Sequence, residues 1–288
     1  MRRAISATVI GTAMVVLAAI GAAQSGRPPQ PSEGRPPRPF EGRPPRPFDL
    51  RGEDPWRFGL EAPTERHEFT FARAAYSGMS WGWGRGGGRG SWRTDYPKAD
   101  RQFLIGVQRL TRIDAYGREY AVRLDDPELL GYPFLYAVEV GRMALTEEEV
   151  LGLRRYLSSG GFLLVDDFWG SWEWDVFETE IRRVLPDRPI VDLPVDHPVF
   201  HTVYQIDEVL QVPNVRNGMM GGPYWEQDGY VPFCRGISDE DGRLVVMINW
   251  NSDLGDAWEW AENPYYPLDR STFAYQLGIN AIVYAMTY

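Results

Sequence analysis

Apolar positions along the chain follow two periods, and the clearest switch between them falls at residues 146–167. Val150, Leu153 and Leu157 recur at helical spacing behind Thr146 and Glu149, which have the spacing of a capping box. Gly160-Gly161 supplies a left-handed stop. Phe162 to Val165 is then continuously apolar, which predicts a strand covered on both faces of a parallel sheet. Asp166 and Asp167 sit where that strand emerges. In open α/β sheets the carboxyl ends of the strands form the ligand crevice, so this pair is the first place to look for chemistry.

The same patterning places the other elements. Residues 68–76 alternate as a first strand, and a helix starting at Pro97 presents Phe103, Val107 and Leu110 inward, with Asp95 or Tyr96 just ahead of it. Residues 120–124 and 134–140 read as strands, and residues 172–185 as a helix with Trp174, Phe177, Ile181 and Val184 on one face. Residues 189–193 predict a further strand. Residues 233–238 and 243–249 flank an Asp241-Gly242 hairpin turn. Residues 213–229 and 249–259 read as polar loops, and 271–286 as a closing helix. Alternating strands and helices with short links predict an α/β fold with a mostly parallel sheet.

Composition adds a compartment and a tether. Met1-Arg2-Arg3, an uncharged apolar run over residues 4–23 and small residues up to Ala23 predict a secretory signal, or an uncleaved anchor if the run is retained. No cysteine follows that run to accept a lipid. Residues 24–50 carry three eight-residue repeats beginning GRPP, an extended polyproline tether able to reach about 70 Å. Residues 51–288 form a single domain, and Cys234, the one cysteine of the chain, permits no intramolecular disulfide. An extracytoplasmic, periplasmic location fits this usage, with membrane contact only through the N-terminal segment. Arg2 and Arg3 lie in the signal, and the tether carries five Arg against Glu33, Glu41 and Asp49. The domain that follows therefore carries about −14 against −10 for the whole chain, which argues against a nucleic-acid partner.

Gly82, Gly84 and Gly87 spell a dinucleotide fingerprint, yet SWRTDYPKAD follows, so the glycines do not open a helix. A Gly/Trp loop over a site is the expectation, with no nucleotide and no other cofactor. FTFARAAY, TDYPKAD, YPFLYAVEVG, LRRYLSSGGFLLVDDFWG, VDHPVFH, GRLVVMINWNSDLGDAWEW and LGINAIVYAMT, in that order, resemble the bacterial domain of unknown function 4159 from about residue 69 to the C-terminus. That resemblance implies a flavodoxin-like three-layer sandwich of the class I glutamine amidotransferase-like type and an export context, without an assigned reaction. A glutaminase of that type needs a cysteine on a strand-to-helix elbow. Cys234 leads into a hairpin instead.

Three polar groups are candidates for a site. Asp166, Asp167 and Glu173 are candidate acid/base carboxylates, against a structural reading in which Asp167 or Ser171 caps the following helix and Asp166 pairs with an arginine. His197 and His201 have ligand spacing for a metal but are interrupted by Pro198. Asn251, Asp253 and Asp256 form a polar loop that lacks the glycine and glutamate positions of a calcium hand. Trp81, Trp83, Trp92, Trp169, Trp172, Trp225, Trp250 and Trp258 fall mostly in predicted loops and at strand ends. Aromatic rings beside carboxylates suit a sugar ring or an extended peptide. The expectation is a binding or scaffolding domain for a glycan or a cell-envelope protein, its ligand surface built from Trp169, His197, Asn251, Asp253, Asp256 and Trp258 around Asp166 and Asp167. A carbohydrate-directed hydrolase is the alternative.

Overall fold

The computed structural model describes residues 67–79 and 92–288. The signal segment, the proline repeats and the three fingerprint glycines lie outside the described residues. In chain order the elements are β1 (Ala72–Ala75), α1 (Lys98–Leu110), β2 (Tyr120–Arg123), β3 (Phe134–Val138), α2 (Glu147–Ser158), β4 (Phe162–Asp166) and α3 (Gly170–Val184). There follow β5 (Val191–Asp192), α4 (Val215–Met220), β6 (Phe233–Ser238), β7 (Leu244–Trp250), α5 (Leu254–Glu259) and α6 (Leu268–Thr287).

The seven strands form one sheet in the order β2-β1-β3-β4-β7-β6-β5. The pairs from β2 through β7 are parallel, while β6 and β5 close the edge antiparallel. Alternation along β3 shows how three layers arise. Phe134, Tyr136 and Val138 face one core with Phe103 of α1, Trp258 of α5 and Leu277 of α6. Leu135 and Ala137 face the other, with Val150 and Leu153 of α2 and Phe177 and Ile181 of α3. Period-two strands thus feed two apolar layers, and the fold is a flavodoxin-like α/β sandwich with a mostly parallel sheet.

The expected helix starts and stops have physical counterparts. Thr146 and Glu149 make the reciprocal capping box of α2, and Gly160 takes the left-handed conformation after it. Buried Glu149 also accepts from the backbone of Ser77, just past β1, so one carboxylate joins helix start to strand end. Three expectations are corrected. Leu110 is exposed, and α1 buries Phe103, Leu104 and Val107 instead. The predicted polar loop at 249–259 contains α5, because Asp253 caps the Asp256 amide and Asp166 accepts from the Leu254 and Gly255 amides. The predicted loop at 213–229 contains α4, capped by Asn214 and stopped by left-handed Gly221.

Candidate functional site

The carboxyl edge of the sheet is built from strained backbone. Glu139 (φ 54°), Asp167 (φ 51°) and Asn251 (φ 62°) are the first residues after β3, β4 and β7, three adjacent strands, and all are left-handed without being glycine. Such residues cost free energy, and they cluster where a structure holds side chains for function. They brace one another: the Glu139 amide donates to the Asp167 carbonyl at 3.0 Å, and the Asp167 amide to the Ser252 carbonyl at 3.1 Å. The Asn251 amide donates to the Phe168 carbonyl at 3.0 Å. Asp95 (φ 61°) and Gln227 (φ 51°), from two loops over the same edge, are left-handed as well.

Asp166 is the organising group of this edge, and its work is internal. Fully buried, it accepts from the Tyr136 hydroxyl at 2.8 Å, from Asn249 Nδ2 at 2.6 Å and from the Leu254 and Gly255 amides. Burial raises its pKa to about 6 against the pull of those four hydrogen bonds. It pairs with no arginine among the described residues. The start of α3 is likewise held by groups other than Asp167 or Ser171. Asn251 Oδ1 accepts from the Gly170 amide, Asp228 from the Ser171 amide and Glu173 from the Trp169 amide. Glu173 also accepts from Gln227 Nε2 at 2.8 Å and lies 3.8 Å from Arg142.

Asp95 enters from the loop ahead of α1, and a buried cation of β1 places it there. Arg73, fully buried, donates to both oxygens of Asp100 and to the carbonyls of Trp92 and Thr94 at 3.3 and 3.2 Å. Its guanidinium carbon lies 4.7 Å from the centroid of the Tyr136 ring. Arg73 is spent on this frame, and its pull on Asp95 is outweighed by burial and by Asp256. Oxygens of Asp95, Asp167 and Asp253 lie within 4.8 Å of one another, as do those of Asp95, Asp256 and Glu259. Burial, reinforced by like charge, pushes the Asp95, Asp167 and Asp253 carboxyls well above the usual range. Glu139 beside them is raised to about 7, first by burial and then by Glu173, against Arg142 at 3.9 Å.

Asp166, Asp167, Glu173, Asn251, Asp253 and Asp256 are therefore brought to one edge, with Trp169, whose indole donates to Asp167 at 3.1 Å. His197 and His201 are not. His197 caps the single 3-10 turn at Pro198–Phe200 and its ring lies 5.9 Å from that of Tyr284. The Tyr284 hydroxyl accepts from the Leu244 amide, the first of β7, so the histidines occupy the opposite, amino edge. His201 Nε2 is engaged with the Val195 carbonyl. Trp258 is fully buried and stacks on Phe103 at 4.1 Å, a core residue. Cys234 is a buried residue of β6 whose thiol burial pushes up.

The rim carries the exposed aromatics. Trp172, in the first turn of α3, is 44% exposed and lies beside Arg142. Trp225 and Tyr230, on the loop that contacts α3 through Gln227 and Asp228, are exposed and pack edge-on at 5.7 Å. Trp92 is buried against Tyr96, and Trp81 and Trp83 lie outside the described residues.

Sequence reasoning passed over two residues of this site. Apolar patterning carries the strand at 134–140 through Glu139, though a carboxylate that breaks an apolar run two residues before Gly141 repeats the position of Asp167 on the neighbouring strand. Local pattern marks Asp95 only as a helix flank, and its approach depends on the Arg73 contact, which no local pattern encodes. Among curated proteins, none matches this chain. Residues 70–286 match the family described as "Domain of unknown function (DUF4159)", and with that match spanning most of its length the chain belongs to this family.

Proposed function

We propose that this protein is a binding domain for a polyhydroxylated ligand, a sugar or glycan unit, seated at the carboxyl edge of the sheet. The observation that carries this reading is the pairing of a carboxylate floor (Asp95, Glu139, Asp167, Asp253) with the exposed rings of Trp172, Trp225 and Tyr230 at its rim. Carboxylates accept from hydroxyl groups, and aromatic faces cover the apolar face of a sugar ring. The edge is also the crevice where open parallel sheets hold ligands, next to the β1/β3 switch in strand order. An extracytoplasmic location, read from residues 1–23, fits a glycan or cell-envelope partner, and the proline repeats suit a spacer.

A thermal-shift screen of the purified protein against glycans and cell-wall fragments tests the reading. A bound ligand raises the melting temperature by mass action, and Asp167→Asn abolishes the shift. Silence from every glycan, or an unchanged shift in that variant, removes it.

Hydrolysis of the same ligand is a second reading, favoured by one observation. Glu139, at about 7, carries its proton near neutral pH beside the Asp167 carboxyl, and a pair of carboxyls is what glycoside hydrolysis requires. Turnover of a bound glycan, lost in Glu139→Gln with binding retained, separates the enzyme from the binding module.

A further inference from the structure

Acceptor oxygens from three elements crowd together behind Gly255 at the carboxyl edge. At Gly255, in the first turn of α5, an added Cβ would stand 2.8 Å from Asp95 Oδ2, 3.2 Å from the Tyr136 hydroxyl and 3.5 Å from Asp253 Oδ1. With both carboxyls ionised, none of these oxygens has a proton to offer the others. The Tyr136 hydroxyl already donates to Asp166, and Asp253 Oδ1 already accepts from the Asp256 amide. Asp95 Oδ2 is buried, packs against Gly255 and has no hydrogen-bond partner. A buried carboxylate oxygen without a donor is costly, and here the neighbouring groups are themselves acceptors.

Charge leads to the same point. Asp253 is 3% exposed and Asp167 7% exposed, and oxygens of both lie within 4.8 Å of one on Asp95. Among the described residues no lysine or arginine lies within ion-pair distance of these three. Arg73 is held by Asp100, Arg142 faces Glu139 and Glu173, and Lys98 serves Glu259. The spacing suits one ion: three oxygens no more than 4.8 Å apart all lie within about 2.8 Å of a common point, a small side-chain adjustment from the roughly 2.3–2.6 Å of calcium–oxygen bonds.

We infer that Asp95, Asp167 and Asp253 bind a hard divalent cation of the calcium or magnesium class, with the Tyr136 hydroxyl beside it. Carboxylates from three separate segments would be clamped by that ion: the loop ahead of α1, the end of β4 and the start of α5. Water or hydroxyls of a bound ligand would complete its remaining positions. This site stands independently of the ligand proposed above, and its test contains no sugar.

Calcium, magnesium and manganese are titrated separately into the full-length, chelator-stripped protein by calorimetry and thermal shift. At about one hundred times Kd the melting temperature of the wild type is expected to rise by about 5 °C or more. Asp253→Asn and Asp95→Asn are expected to lose at least tenfold in affinity. Both variants keep the fold, since asparagine caps helices as aspartate does and tolerates the left-handed backbone. In chelator each is more stable than the wild type, because one of three mutually repelling carboxylates is gone. Absence of heat and of any shift with all three ions overturns the inference and leaves shared protons to hold the triad. Undiminished affinity in both variants overturns it equally.

Discussion

Ionisation of Glu139 opposes folding, and replacing it with glutamine makes the cost measurable. The side chain is 21% exposed, and its carboxyl is raised from 4.5 to about 7 by burial and by Glu173. A group raised in the folded state binds its proton more tightly there, so its stabilisation is complete below pH 4.5 and lost as pH rises through 7. A shift of about 2.5 pH units corresponds to about 3 kcal/mol, with a steepest slope of about 1.4 kcal/mol per pH unit. Glu139→Gln keeps the shape and removes the titration. In urea unfolding with chelator present, the variant should match the wild type near pH 4.5 and exceed it by up to about 3 kcal/mol at pH 8. Glu139 also helps to raise the Asp95 and Asp167 carboxyls, so the gap reports the relaxation of this coupled group and not of Glu139 alone. A stability gap that does not widen with pH, or a variant less stable at pH 8, refutes the reasoning.

Other substitutions test the frame around the site. Arg73→Met leaves Asp100 buried and unpaired, and should cost about 3–5 kcal/mol in urea unfolding. Adding Asp100→Leu should recover most of it. Gly152→Ala would put a Cβ 1.9 Å from the Leu124 carbonyl oxygen, a backbone atom that cannot yield cheaply. Despite the better helix propensity of alanine, the melting temperature should fall by about 5 °C, for a cost of about 2 kcal/mol.

Much of this fold was legible because its signals are local. The Thr146/Glu149 box, the Gly160 stop and the apolar run of β4 each lie within one element, and each appears as expected. The Asp241-Gly242 turn joins β6 to β7. Helix α5 was missed because its N-terminal amides are satisfied by Asp166, far off in sequence, and a polar run with a distant cap reads as loop. The site was half legible for a related reason. Asp166 and Asp167 follow from strand position alone. The uses to which they are put do not: Asp166 is consumed by Tyr136, Asn249 and α5, while Asp167 joins Asp95 and Asp253. The histidine pair had plausible spacing, but spacing carries no information about which edge of a sheet a segment returns to. Strain at Glu139 was invisible for the same reason, since nothing in a glutamate announces a left-handed backbone.

The most direct test of the carboxyl edge as the functional surface is a glycan-binding array with three proteins. These are the wild type, a Glu139→Gln/Asp167→Asn double variant, and His197→Ala at the amino edge. The expected result is binding of the same glycans by the wild type and His197→Ala, and at least tenfold weaker binding by the double variant. Because that variant sheds repelling carboxylates, its loss cannot be ascribed to unfolding once its melting temperature is seen to hold or rise. Equal binding by all three proteins, or no glycan bound by the wild type, contradicts the assignment.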